Sequence, residues 1–429
     1  MRKLKVLIVC HFSNASVRSH LPLDNRRLFN IIRRLMGLPA KSGKYSDLAS
    51  WDTNLIDNLS KRDDVELYVI SAHTGLKRSV VKFAIGKVNY WFIRCGVATM
   101  LKHVIKSPKL WHSLNPMRPR VRHIARQIHP DVIALIGAEN PHISGTILGL
   151  EKEYPVIVKT QTIYNNPQRA KVSEFNKINA YVERLIFKRI CYFACNNKTH
   201  VDLFRQFNPK AYNFIWSFAT TYPEVQEQEK EFDFVNFAMA MTAKKGYIDA
   251  LKALAIIKQD YPLANMNFVG GGTEEEIGTV KNMIRELCLE DSVVITPLFP
   301  EQKDMFQHIQ KSRFAILPCK LDYVAGTISQ AMHYGLPVVC YRTEGTEKLN
   351  EGGERVLIAE NGDYQDLAQK MVICLRDSDR MDKMKQSAKE YDNLVNDNQA
   401  ITEQIVAAFN AVVNHYRFGT AIPQKLLYD

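Results

Sequence analysis

The chain has 429 residues, 46% of them hydrophobic and 24% charged, which excludes a disordered or fibrous protein and predicts two domains of about 200 residues each. The formal net charge of +12 is unevenly spread: residues 1–220 hold 35 Lys/Arg and 14 Asp/Glu, and the remainder holds 22 and 31. A basic first half suits an anionic partner such as nucleic acid, a membrane leaflet or a phosphate-bearing substrate, or it is simply a solvated basic surface.

Met1–Lys5 leads straight into an apolar run, Val6–Cys10, with nothing resembling a secretory signal. The longest candidate for a membrane helix, Val88–Ile105, is interrupted by Arg94 and Lys102 and falls short of the ~20 apolar residues needed to span a bilayer. The eight cysteines are scattered, several inside apolar runs, as expected of reduced, buried thiols in a cytoplasmic protein. Cys191 and Cys195 form the one close pair, and without a second pair or a His cluster no metal site is expected there.

In chain order, Lys5–Cys10, Val65–Ser71, Asp131–Gly137, Pro155–Gln161 and Ile190–Asn196 read as short apolar strands. Helical stretches such as Arg118–Gln127 and Asn179–Lys188 lie between them. Nearly continuous apolar runs are the mark of parallel strands covered on both faces, and their alternation with helices predicts a doubly wound α/β domain. The polar, acidic segment Phe218–Lys230 reads as a linker.

A second series follows: Phe232–Ala240, Ala264–Gly272, Ser292–Leu298, Phe314–Cys319, Pro337–Tyr341 and Arg355–Glu360 as strands, with helices at Tyr247–Gln259, Glu274–Cys288 and Tyr364–Arg376. The expected organisation is therefore a first Rossmann-like domain over 1–220, a second over 221–395, and a last segment, 396–429. The helix Gln399–Arg417 in that segment would pack back on the first domain. Two such sheets facing each other would enclose a cleft at their strand ends, where open α/β sheets bind ligands.

Three loops of the second series carry suitable chemistry. After the strand ending at Ala240, Thr242, Lys244, Lys245 and Gly246 precede a helix, and cations beside free backbone N–H groups make an anion site or, equally, a plain surface turn. Gly270–Thr273 precedes Glu274, Glu275 and Glu276; it is not GxGxxG, and its acids suit a helix start better than a diphosphate. The third loop reads DYVAGTISQAMHYGLPVV, Asp322–Val339. Gly326 and Thr327 start a helix, Gln330 lies one turn on, Asp322 precedes it, and Gly335 and Pro337 close it. A capped helix between buried strands is the plain structural alternative.

In their order these motifs resemble retaining glycosyltransferases of the two-Rossmann GT-B architecture, in particular family 4, the group 1 glycosyltransferases. The residues that carry the likeness are AMTAKKG (240–246), GGTEEE, Asp322–Val339 and TEGTEKLNEGGERVLIAENGD (343–363). It is specific over Phe232–Arg376; over 1–220 it rests on topology and length. The resemblance implies that Lys245 binds the donor diphosphate, that Asp322 meets the transferred sugar, and that Gln330 holds the nucleotide ribose. Gly326 and Thr327 would then serve the phosphates.

Ala240 stands where the family has Arg, and Asp322 and Gln330 replace two Glu residues spaced eight apart. Lys244, Arg342 or an Arg of the first domain could supply the missing charge. The implied activity is sugar transfer from a UDP- or GDP-linked donor without a metal or other cofactor, since Asp377-Ser-Asp379 falls in a polar helix-end segment. A catalytically inactive nucleotide- or sugar-binding member is the alternative.

The first domain would present a glycan or lipid-linked acceptor, as in polysaccharide biosynthesis. Its strand ends offer His11 to Asn14, Ser71 to His73, Glu139 to His142, and Gln161-Thr162. Glu139 and His142 are the pair chosen for contact with the acceptor hydroxyl. Arg26–Arg34 and Asn89–Lys109 place bases beside Leu, Ile, Phe and Trp. Such a helix face suits a leaflet surface, and a cytoplasmic, peripheral location, as well as it suits packing with snorkelling Arg tips. Nucleic acid is not expected, because the bases lack interleaved aromatic platforms or a known motif. No GxGxxG follows either first strand, which disfavours a nicotinamide enzyme.

Overall fold

The computed structural model describes residues 2–24, 30–31, 34–35, 47–160, 162–166, 176–195, 197–218, 220–321, 324–343 and 345–428. The chain divides into two units, Met1–Thr221 with Asp397–Asp429, and Tyr222–Asn396. The last segment thus belongs to the first unit and is no separate domain.

Among the described residues, the first unit is built on β1 (Leu4–Val9), β2 (Val65–His73), β3 (Val80–Ile85), β4 (Val88–Arg94), β5 (Val132–Ile136), β6 (Val156–Lys159), β7 (Tyr192–Cys195) and β8 (Tyr212–Ile215). Their order in the sheet is β3-β4-β2-β1-β5-β6-β7-β8. All neighbours are parallel except β3 and β4. These two form a hairpin with Ile85 opposite Val88, so Gly86-Lys87 is a two-residue turn, and Gly86 has the positive φ of +54° that such a turn demands.

The β4 strand corrects part of the sequence reading, because Asn89–Arg94 is strand rather than basic helix face. Its Tyr90, Trp91 and Phe92 are buried, as an aromatic run beside a hairpin turn favours. Of Arg26–Arg34, only residues 30, 31 and 34 lie within the described residues.

Helices cover both faces of this sheet. On one side Ala98, Trp111, Val121, Ile124, Val182, Ile186 and Phe204 join its core; on the other Leu55, Leu59, Ile405, Phe409 and Val412 do so. The C-terminal helix Asn398–Phe418 therefore completes the core of the first unit, with Phe409 edge-on to Trp216 at 5.4 Å.

The second unit has six parallel strands: β9 (Phe232–Ala240), β10 (Met266–Gly271), β11 (Val293–Pro297), β12 (Ser312–Leu317), β13 (Val338–Tyr341) and β14 (Val356–Ala359). Their order is β11-β10-β9-β12-β13-β14, so the winding reverses between β9 and β12. Helices 247–257, 274–286 and 364–376 cover one face, and 302–309 and 326–333 the other. The chain is an α/β protein of two Rossmann-like domains.

All eight cysteines are free, with Cys191 and Cys288 exposed. No helix among the described residues is long and apolar enough to cross a membrane.

Candidate functional site

In the second unit the loops leaving β9 and β12 meet at the point where strand order reverses, the place where this kind of sheet opens a crevice for ligands. Thr242 to Gly246 follow β9 as a short 3-10 turn, Ala243–Lys245, and helix 247–257 begins at Gly246. Gly246 has φ +79°, and a methyl there would overlap the carbonyl and ring of Pro318. Only glycine lets these two loops touch. The backbone N–H of Lys320 donates to the Lys244 carbonyl at 3.0 Å, and the Lys245 ammonium sits 3.8 Å from Cys319 Sγ.

A ring of polar side chains ties in the neighbouring strand ends. Lys320 is ion-paired to Asp249 at 2.7 Å, and the Tyr341 hydroxyl donates to the same carboxylate at 2.9 Å. Burial, then that carboxylate, pushes the Tyr341 phenol far up. Asn361 donates to the carbonyls of Lys320 and Arg342 at 3.1 and 3.2 Å. Arg342 is itself held by Glu347 and by Glu360, whereas Lys244 is exposed and has no ion pair among the described residues. Of the two sources of charge named in this unit to compensate for Ala240, Lys244 rather than Arg342 is without an ion pair among the described residues.

Helix Gly326–His333 follows from the β12 loop. No side chain caps it, Gly326 is exposed, and nothing lies within 4 Å of where a Cβ would stand. The Ile328 N–H returns to the Ala325 carbonyl at 2.9 Å, and N–H groups left without a capping side chain at a helix start attract anions. Thr327 and Gln330 are half-buried on its first two turns. Asp322 lies outside the described residues.

By contrast, Thr273 and Glu276 close a capping box at the start of helix 274–286, so the Gly270–Thr273 loop serves the fold. Asp377 caps helix 378–395 through the Arg380 N–H at 3.0 Å. Among the described residues no group of three or more His, Cys, Asp and Glu is placed to hold a metal.

The first unit gathers a second set at its own reversal point, between β1 and β5. His142, in the short helix Pro141–Ser144, is buried and meets His11 ring to ring at 4.9 Å, edge to face. Burial first, then His73, brings His11 down to about 4; burial, then His11 and Lys102, holds His142 well below its ordinary value. Both imidazoles are neutral near pH 7. Asp52, 2% exposed, is raised well above its ordinary value by burial and then by Glu139.

Glu139 folds back over Gly137, whose φ is +87°. Its backbone carbonyl accepts from Asn179 at 3.0 Å, and Asn179 in turn accepts from Lys102. Buried imidazoles that hydrogen-bond without carrying charge suit the hydroxyl groups of an acceptor.

Sequence reasoning named His11, Glu139 and His142 at separate strand ends but gave Asp52, Lys320 and Asp249 no part. Nor did it single out Lys159, which is fully buried at the end of β6, donates to the Trp216 carbonyl at 2.6 Å, and is brought to about 7 by burial. A lysine inside the apolar run Pro155–Gln161 was the available signal.

Residues 219–391 match the family described as glycosyl transferases, group 1. A curated relative, an uncharacterized glycosyltransferase of Haemophilus influenzae, is 29% identical over 124 residues. That match covers 29% of this chain and 34% of the relative, about a third of its length.

Solved structures share the fold over nearly the whole chain. Sucrose-phosphate synthase from Thermosynechococcus elongatus has a TM-score of 0.65 at 12% identity, covering 95% of this chain and 98% of that one. Anabaena HepE in complex with UDP-glucose has a TM-score of 0.61 at 17% identity, covering 95% and 100%. The trehalose 6-phosphate synthase of Burkholderia multivorans has 0.66 at 8%, covering 97% and 100%.

Proposed function

We propose that the protein is a metal-independent, retaining glycosyltransferase of family 4 that takes a sugar from a UDP- or GDP-linked donor. The acceptor is a glycan or lipid-linked glycan of polysaccharide biosynthesis, met at the cytoplasmic face of a membrane. The observation that carries the reading is the junction of the β9 and β12 loops. There the loop holding Lys244 and Lys245 touches Pro318 and Lys320, and the same β12 loop leads on to the uncapped helix 326–333, within the segment that matches the group 1 glycosyl transferases.

The chemistry follows from that convergence. As the glycosidic bond to the donor breaks, positive charge grows on the sugar and negative charge on the departing diphosphate. Stabilising the second is the principal task, and fixed dipoles and cations do it without reorganisation. Lys245 and the N–H groups of Gly326 and Thr327 face that charge, with Thr242 and Lys244 beside them. Gln330 hydrogen-bonds the ribose diol, and Asp322 takes the sugar hydroxyls. Glu139 and His142 receive the acceptor; a neutral His142 hydrogen-bonds a hydroxyl as donor or acceptor, according to its tautomer.

Lys245→Ala should cut turnover of the nucleotide-sugar donor by about 100-fold or more in purified protein of unchanged melting temperature. Undiminished turnover would overturn the reading. Ala240 at the end of β9, with Arg342 engaged by two carboxylates, favours a second reading, an inactive nucleotide-sugar binder. Calorimetric binding of UDP, with neither transfer nor hydrolysis for any donor tried, would select it.

A further inference from the structure

We propose that helices Gly96–Val104 and Pro108–Ser113 form a docking surface for an anionic lipid bilayer. The two helices adjoin: residues 105–107 connect them, and the buried Trp111 donates its indole N–H to the Ala98 carbonyl at 3.2 Å. Each buries one side in the core of the first unit, with Ala98 on the first helix and Trp111 on the second. Each also exposes an apolar row. Val97 and Val104, seven residues apart on one face of the first helix, are 49% and 65% exposed; Leu110 and Leu114, four apart, are 50% and 53% exposed.

The stretch of chain that holds these rows carries charge of one sign. From Leu67 to Pro130 the chain contains twelve Lys/Arg and not one Asp or Glu. Lys106 and Lys109, both exposed, stand between the two apolar rows.

That composition selects the partner. Cores of protein interfaces concentrate aromatic side chains, but the exposed side chains here are Val and Leu, and the neighbouring Trp111 is buried. A second copy on a two-fold axis would set the exposed Lys106 and Lys109 against the same lysines, like charge on like. Short aliphatic tips among lysines are what the boundary of an anionic leaflet takes up: the tips enter the acyl edge while the ammonium groups stay among the phosphates.

The surface is also wired to the acceptor cluster. Lys102, on the first of these helices, donates to Asn179, which holds the backbone of Glu139. A lipid-borne acceptor would therefore arrive beside Glu139. Only this last step rests on the glycosyltransferase reading; the binding itself does not.

The test is flotation of the full chain with phosphatidylcholine vesicles with and without phosphatidylglycerol, at low and high salt. Binding should require phosphatidylglycerol and weaken with salt. The double variant Lys106→Glu/Lys109→Glu should lose about fivefold per lysine, and Leu110→Asp/Leu114→Asp about tenfold or more. Both pairs are exposed, so melting temperatures and any shift produced by UDP should equal those of the parent chain. A failed donor reading would show in the UDP shift alone and leave flotation untouched. Absence of binding at low salt, or variants that float like the parent, would overturn the proposal. So would sedimentation showing a dimer that Leu110→Asp/Leu114→Asp dissociates, because the surface would then belong to a second copy.

Discussion

Two glycines in one site illustrate how a single position serves either the fold or the ligand. At Gly246 the left-handed backbone and the carbonyl of Pro318 leave no room for a methyl group. Gly246→Ala should therefore destabilise the second unit by about 2 kcal/mol or more, read as a lower urea midpoint by circular dichroism. Gly326 has neither constraint, since its surroundings are open and its φ is not positive. Gly326→Ala should leave stability unchanged or raise it by up to about 1 kcal/mol, because alanine is the better helix former. It should nonetheless raise KM for the donor about tenfold if a phosphate rests on the bare backbone, a few-fold to tenfold loss being what crowding by one methyl costs. An unchanged KM would remove Gly326 from the site.

At the scale of elements, helix Asn398–Phe418 completes the cover that helix Ser50–Ser60 begins over the second face of the first sheet. Phe409 is fully buried against Trp216, so Phe409→Ala should cost about 3–5 kcal/mol, measured by urea denaturation. The elements that could be read from sequence were those whose burial is continuous. Strands such as β5 and β13 carry unbroken apolar runs because helices press on both faces; β11 is an exception, read from its Val-Val-Ile run although Val294 is 47% exposed. The hairpin β3–β4 escaped because its outer strand alternates, Val80 to Ile85 being only partly covered, although Gly86-Lys87 between two β-forming runs was a usable turn signal. The strand β8, Tyr-Asn-Phe-Ile, was missed because Asn213 interrupts its apolar run and its two ends are only partly buried. Loop positions after β9 and β12 were legible from motif order. What no local pattern could convey was the long-range pairing, such as Lys320 with Asp249 or His11 with His142, since these depend on strand order.

For the molecule as a whole, the two units should respond differently to acid. His11, His112 and His142 all lie in the first unit, and each is brought down chiefly by burial, His11 and His112 to about 4. Each binds a proton more readily once unfolded, from its ordinary value near 6.5 downward. Stability is therefore intact above about pH 6.5 and falls as pH drops toward 4. His112→Leu should flatten that slope by up to about 1.4 kcal/mol per pH unit. Trp51, Trp91, Trp111 and Trp216, the four tryptophans of the chain, are all in the first unit, so their fluorescence across a series of urea titrations isolates its stability. A slope equal to that of the parent would show His112 to be charged in the folded state. The C-terminal helix has one more consequence, for biosynthesis. Domains tend to fold as they leave the ribosome, first-made first, yet the first unit lacks Ile405, Phe409 and Val412 of its core until the last residues are translated. The second unit, Tyr222–Asn396, is complete by then. The nascent chain thus finishes its middle before its beginning, and the first 221 residues wait with one sheet face covered only in part until Asn398–Phe418 emerges.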